Sequence, residues 1–294
     1  MQQFIFLLTS LNGMHKPNFS TQLLKALQQK STVTILVAMV DFEAVWTVRQ
    51  YLNQLATKNR RVKDVKLLTL ADLFAEEPGL ALTAEERHTM DLSDFEQRLF
   101  AADQEQIKRY LSKGHMVAEL RQVDDDTPMS LRQYQADQLT QVDTYGLDGT
   151  VVGIEKIQNE VAQTSYLLNQ HGEAVLRFVR HERPIEHVYN LSATSAMLAT
   201  QFADAKQVAS AATMSKRQLE KAEANTVDKT QIITTTEAYY GVLAYSNYRR
   251  FSDIYAFYQA ILSRLLTPET RLYVDLTVNA HFSPQMPNQL IFNY

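Results

Sequence analysis

Between residues 142 and 181 the chain says one phrase twice, "VDTYGLDGTVVGIEKIQNEVAQTSYLLNQHGEAVLRFVRH". In each copy a tyrosine (Tyr145, Tyr166) precedes an Asp or Asn close to a glycine (Asp148 and Gly149, Asn169 and Gly172), and an aliphatic run follows. Two strand-forming runs joined by such a turn make a hairpin. Successive hairpins with short connections pair as antiparallel neighbours. The same alternation extends over "HMVAELRQV", "MSLRQYQADQLTQVDTYG" and "IEHVYNLS", with "DDDTP", "LDG", "QHG" and "ERP" as turns. Residues 107–191 are therefore expected to form an antiparallel β-meander, with tyrosines and glycines that build hairpins and carry no chemistry.

The flanks follow a different period. "FIFLL" is a continuous apolar run that stops at Thr9 and Ser10, as a strand buried on both faces does. Phe19, Leu23, Leu24 and Leu27 then recur at helical spacing behind Asn18 or Ser20 as N-cap, and "VTILVAMV" is a second buried strand. This β-loop-α-β unit opens a parallel α/β domain. "AVWTVRQYLNQLA" reads as a helix and "VKDVKLLTL" as a third strand leading into "ADLFAEE". Thr83 and Glu86 have capping-box spacing, and Met90, Phe95, Leu99, Ile107 and Leu111 continue a helix-prone stretch, so the first α/β part spans 1–106.

Residues 204–228, rich in Ala, Lys, Glu and Gln, read as an exposed helix within a linker at 192–228. The α/β pattern is expected to resume over 229–294, with "GVLAY", "RLYVDLT" and "QLIFNY" as strands and "FSDIYAFYQAILSRLL" as an amphipathic helix. The expected fold is thus a Rossmann-like parallel α/β domain interrupted by an antiparallel β-meander insertion.

With no cysteine, disulfides, thiolate metal sites and a cysteine nucleophile are excluded. A formal charge of −4 argues against a dedicated nucleic-acid binder. The apolar start is too short for a membrane anchor and lacks a basic leader, so a cytoplasmic protein is expected. None of the 7 histidines forms a metal pattern; His181 and His187 flank a turn without a partnering ligand. Asp124, Asp125 and Asp126 match an Asp-x-Asp metal element literally, but they lead into Thr127 and Pro128 as an acidic turn. No nucleophile elbow, Walker loop or dinucleotide fingerprint is present, and neither a metal nor a cofactor is expected on this chain.

Two stretches are candidates for ligand contact. In an open α/β sheet the crevice lies beyond the carboxyl ends of the strands. "SLNGMHKPNFS" follows the first strand and offers Asn12, Gly13, His15, Lys16 and Asn18; it is either a substrate-facing loop or an ordinary surface connection. "VDLTVNAHFS" offers Asp275, Asn279 and His281, with an Asp that caps the next turn as the simpler alternative. The tyrosine-dense run "EAYYGVLAYSNYRRFSDIYAFY" is read as packing.

An α/β domain that opens with "FIFLL" and "VTILVAMV", is interrupted by strands bearing Tyr145, Gly149, Tyr166 and Gly172, and returns through "FSDIYAFYQAILSRLLTPETRLYVDLT" resembles a known group. It is similar to the N-terminal half of family 4-like GT-B glycosyltransferases of Gram-positive bacteria that modify serine-rich adhesins or wall teichoic acids. The resemblance implies a nucleotide-sugar donor such as UDP-N-acetylglucosamine or UDP-glucose, an acceptor polypeptide or teichoic acid, and a homo- or hetero-oligomer with a glycosyltransferase subunit. Peripheral membrane association is a further implication. The donor-binding second domain of that group, with two glutamates separated by seven residues, is expected to be absent here, and "QLIFNY" at the end is read as the edge of a fragment. Half of a cleft does not position donor and acceptor alone. The chain is therefore expected to be an acceptor-binding and assembly portion, or else a non-catalytic, chaperone-like subunit that recruits a partner through its meander.

Overall fold

The computed structural model describes residues 2–29, 31–84, 86–102, 105–180, 185, 187–192, 230–234, 240–244 and 251–294. The first layer is a parallel sheet of β1 (Gln2–Leu8), β2 (Ser31–Val37), β3 (Lys66–Thr69), β15 (Arg271–Val274) and β16 (Leu290–Asn293), in the order β16-β15-β1-β2-β3. β1 is central and covered on both sides, which is why "FIFLL" has no alternation. Phe4, Phe6 and Leu8 face helices α2 (Pro17–Gln28) and α3 (Ala44–Lys58), where Phe19, Leu23 and Val48 meet them. Ile5 and Leu7 face the opposite way, into a core shared with α5 (Ile254–Leu262).

The second layer is a nine-stranded antiparallel sheet in chain order, from β4 (Glu96–Ala102) to β12 (His187–Asn190). Its strands β5 (Glu105–Ser112), β6 (His115–Asp124), β7 (Thr127–Gln135), β8 (Gln138–Tyr145), β9 (Val151–Gln158), β10 (Val161–Leu168) and β11 (Ala174–Val179) each pair with the next. Leu167, Val175, Leu176 and Phe178 of the meander enter the same core as Ile5 and Leu7. The Rossmann-like α/β domain with an inserted meander is the architecture that the hairpin phrases and buried runs predict.

Three local readings are corrected. The helix expected after Thr83 does not form: Thr83 and Glu86 make the capping-box bonds at 3.0 and 3.3 Å around a single turn, and β4 and β5 take up the apolar residues that follow. Pairing with a neighbouring strand overrides the helical spacing of Leu99, Ile107 and Leu111, as sheet context commonly does. The stretch "MSLRQYQADQLTQVDTYG" is two strands, β7 and β8, because Ala136 and Asp137 turn the chain with φ of 49° and 61°. "GVLAY" is a strand, but β14 (Tyr240–Ala244) pairs antiparallel with β13 (Thr230–Thr234) in a separate two-stranded sheet and not with the parallel layer. Residues 193–228 of the expected helical linker and His181 lie outside the described residues. No helix among the described residues is long and apolar enough to cross a membrane.

The β9–β10 connection is a two-residue turn with Asn159 and Glu160 at φ of 52° and 63°. Left-handed backbone is costly for an L residue other than Gly, Asn or Asp, and Asn-Gly is the favoured pair for such a turn. Glu160→Gly is therefore expected to stabilise the protein by about 1 kcal/mol, read as a higher urea midpoint. An unchanged or lower midpoint would count against the turn assignment.

Candidate functional site

The strand order reverses at β1. β2 and β3 lie on one side of it, β15 and β16 on the other. In open α/β sheets the usual ligand position lies at such a reversal, beside the loops leaving the carboxyl ends of the two strands, here β1 and β15. From β1, Ser10 starts the short helix α1 (Leu11–Met14), its hydroxyl accepting from Gly13 N at 3.2 Å. From β15, Asp275 caps α6 (Leu276–Phe282) by accepting from Thr277 N and Thr277 Oγ1, both at 2.8 Å.

The two loops meet in an ion pair. Lys16 Nζ lies 2.8 and 2.7 Å from the two carboxylate oxygens of Asp275. A Cβ on Gly13 would stand 3.0 Å from Asp275 Oδ2, so the residue there must be small for the pair to close. Burial pushes the Asp275 carboxyl up, but the Lys16 and Thr277 bonds outweigh it and hold the group below its ordinary value. Asp275 is thus both a cap and a charge partner, so the simpler reading of it is seen in the structure as well.

The other candidates disperse. Asn12, His15 and Asn18 are exposed, His15 with its ring edge toward Tyr51 at 5.9 Å. Asn279 donates to Asn293 on the far side of α6, and His281 stacks on Tyr255 at 5.0 Å. Of these, Asn12 lines a cavity of about 290 Å³ beside the ends of β1 and β2 with Ser10, Asp41, Arg180 and Tyr258, to which the β15 loop contributes no residue. Asp124 to Asp126 form the β6–β7 turn, Asp124 Oδ1 accepting from Asp126 N at 3.1 Å.

Sequence reasoning missed Asp41 and Arg180, which belong to a polar seam between the two layers. Glu43, just after β2, accepts from Ser130 Oγ at 2.8 Å and from Arg132 Nη2 at 2.7 Å. Glu119 accepts from Arg109 at 2.9 Å and Arg121 at 3.2 Å. On β9, buried Glu155 accepts from Ser165 Oγ at 3.3 Å and lies 3.9 Å from Arg180. These residues alternate along strands with apolar ones, a pattern that also describes a solvated face. Only the closeness of a second layer reveals the seam.

Burial, reinforced by the nearby Asp41 carboxylate, raises Glu155 from 4.5 to about 7, against the opposing pull of Arg180. Because the folded value is raised, the contribution of the neutral group to stability is complete below 4.5 and is lost as pH rises through about 7. Glu155→Gln keeps an acceptor for Ser165 and removes the charge. It is expected to raise the urea midpoint at about pH 8 and to leave it nearly unchanged at about pH 4. Equal midpoints for the two proteins at about pH 8 would contradict this.

A second cavity, of about 300 Å³, opens where β2 and β3 end. Its far wall is made by the turns of the repeated phrase, residues 145–150 and 167–170. Both turns are tied to the α/β layer: Trp46 Nε1 donates to the Tyr145 carbonyl at 3.1 Å, and Gln170 N to the Ala75 carbonyl at 3.1 Å.

The expectation that no glutamate pair has seven-residue spacing is corrected by Glu77 and Glu85. Glu77 is engaged structurally, with Arg264 Nη1 at 3.0 Å and Ser192 Oγ at 3.0 Å, and Glu85 lies outside the described residues. Both precede the meander and do not belong to a second α/β domain.

No family model and no curated protein matches the chain. Among solved structures, all of the chain superimposes on a chain of the Glycosylation Associate Protein (Gap123) complex from Streptococcus agalactiae, with a TM-score of 0.50 and 11% identity. The two share a fold. The match covers 51% of that chain. TarM overlaps with a TM-score of 0.49 at 10% identity over 49% of its chain. The GtfA/B complex bound to UDP and GlcNAc overlaps at 0.47 and 9% over 48%. The chain thus spans about half the length of the structures it matches.

Proposed function

We propose that the chain is the acceptor-binding and assembly portion of a bacterial glycosyltransferase that modifies a cell-surface protein or teichoic acid from a nucleotide-sugar donor. The observation that carries this reading is the end-to-end overlap with one half of a chain from a glycosylation-associated complex. Inside this chain, the reading is supported by polar groups that hold one another. Lys16 and Asp275 neutralise each other, and among the described residues no nucleophile is hydrogen-bonded to a general base in the cavity beside β1.

On this reading the protein works in the cytoplasm with a donor-binding glycosyltransferase subunit and associates peripherally with the membrane. Asn12 contacts the acceptor beside β1, and Gly13, Lys16 and Asp275 brace the loops there, while His15, Asn18, Asn279 and His281, expected at the same site, stand apart from it. The working parts follow the expected bounds 1–106, 107–191, 192–228 and 229–294, except that β4 and all of β5 belong to the meander and β13 and β14 to neither layer.

A second reading, a non-catalytic subunit that recruits its partner by strand addition, is favoured by one feature. β4 is the open edge of the nine-stranded sheet, and its Leu99 and Phe100 are 68% and 43% exposed. The test is donor turnover. The purified chain alone should not consume UDP-N-acetylglucosamine or UDP-glucose, and adding its donor-binding partner subunit should bring transfer to acceptor. Turnover by the chain alone would overturn both readings. A complex in which this chain can be removed without loss of transfer would favour the second.

A further inference from the structure

The cavity at the ends of β2 and β3 has a chemical character that the glycosylation reading does not use. Its walls are mainly apolar, with Met39, Phe42, Leu70, Val152 and Leu167 among them. Most of its polar groups are already engaged. Asp72 of α4 (Leu70–Phe74) accepts from Thr69 N and Thr69 Oγ1 at 2.8 Å, and Asp148 from Thr150 N at 3.0 Å and Thr150 Oγ1 at 2.7 Å. The Asn169 side chain donates to the Glu77 carbonyl and accepts from His171 N and Glu173 N, each at 2.9 Å.

Arg49 is the exception. It reaches the cavity from α3 with its guanidinium carbon 5.7 Å from the centre of the Trp46 ring, and its Nε is buried without a hydrogen-bond acceptor among the described residues. Burial depresses this guanidinium, and only the field of Asp72 opposes the shift. An unpaired donor at the edge of an apolar cavity is costly until an acceptor arrives. The planar fork of an arginine matches a carboxylate with two parallel bonds.

We propose that this cavity is a binding site for a small amphipathic carboxylate, whose apolar body fills the space between the two layers and whose carboxylate pairs with Arg49. The site takes a compact molecule in preference to a polypeptide, because α3, α4 and the two hairpin turns bound it on separate sides. Its walls are tied to each other by the Trp46 and Gln170 bonds, so little ordering is left for binding to do.

Trp46 is the one tryptophan of the chain; because it and Arg49 also line a neighbouring space with Leu52 and Val62, a variant at Val152, which lines only this cavity, assigns the fluorescence change. The test titrates the full chain with decanoate, below the concentration at which it forms micelles, with decanol as the neutral control. Decanoate should bind at one saturable site and shift the Trp46 emission. Arg49→Met keeps the aliphatic stem; it should weaken decanoate on the order of tenfold or more while leaving decanol unchanged. Val152→Phe fills the cavity and should remove both. Circular dichroism shows whether that variant folds; where it does not, the split between decanoate and decanol in Arg49→Met decides. The proposal is overturned if decanoate shows no saturable binding or binds the Arg49→Met protein as tightly. It is equally overturned if a capped peptide with Leu beside Asp binds tighter than decanoate.

Discussion

Replacing Phe178 with alanine is expected to destabilise the protein by about 3–5 kcal/mol, a large share of the stability of an ordinary domain. Phe178 sits on β11 of the meander, fully buried, with its ring edge-on to Phe42 at 6.2 Å and to Phe257 at 5.5 Å. Phe42 follows β2, and Phe257 belongs to α5. One side chain therefore holds together the meander, the parallel layer and the returning helix. Its removal leaves a cavity at their meeting point, and neither sheet can close that gap by moving alone. Urea unfolding followed by Trp46 fluorescence and by far-ultraviolet circular dichroism should show one coincident transition, shifted to lower urea in the variant. A loss below about 1 kcal/mol, or two separate transitions, would mean that the layers are stable independently.

The second large effect is the opposite kind, an added methyl group. Gly153 of β9 faces the Phe42 ring, and a Cβ there would overlap it, 2.7 Å from Cγ and 2.9 Å from Cε2. Phe42 is buried and cannot swing into solvent. Gly153→Ala is expected to cost about 1–3 kcal/mol through forced displacement of strand or ring. The cause is steric, so it has a signature. In the Phe42→Ala background the same substitution should cost much less, which a double-mutant cycle measures as a coupling of at least about 1 kcal/mol. Additive effects would show that the glycine is needed for some other reason.

Both predictions also bear on how the protein can be dissected. Excising residues 107–191 would remove Leu167, Val175, Leu176 and Phe178 from the core that Ile5 and Leu7 share. Loss of a partner after such a deletion would report unfolding as readily as a lost interface. Point substitutions at exposed positions of β4, such as Leu99→Lys, probe assembly without opening the core.

The sequence makes the two periods legible because each has a local cause. "FIFLL" has no alternation since β1 is covered on both faces, and the Asp148 and Asn169 turns bond their own backbones as Asp and Asn do before glycine. The β7–β8 turn was hidden because Ala136 and Asp137 contain no glycine to mark positive φ. β4 was hidden because its apolar residues fit a helical spacing and its strand state depends on pairing with β5. In the crevice, Lys16 and Asp275 were found separately from the rule that strand ends face ligands, and only the sheet order brings them within 2.8 Å. Asp41, Arg180 and Arg49 carried no local signal; each matters through a neighbour far away in the chain.

The repeated phrase has acquired a second meaning. Its strands fix the meander, and its two turns, tied to Trp46 and Ala75, also close a cavity against the α/β layer.

On the proposed function, this chain holds an acceptor without transferring sugar to it. The most direct measurement is calorimetric titration of the full chain with a synthetic serine-rich peptide and, separately, with purified wall teichoic acid, with UDP-N-acetylglucosamine consumption followed in the same samples. Saturable binding of one of the two acceptors and no donor consumption are expected. Binding of neither acceptor, or donor consumption by the chain alone, would contradict it.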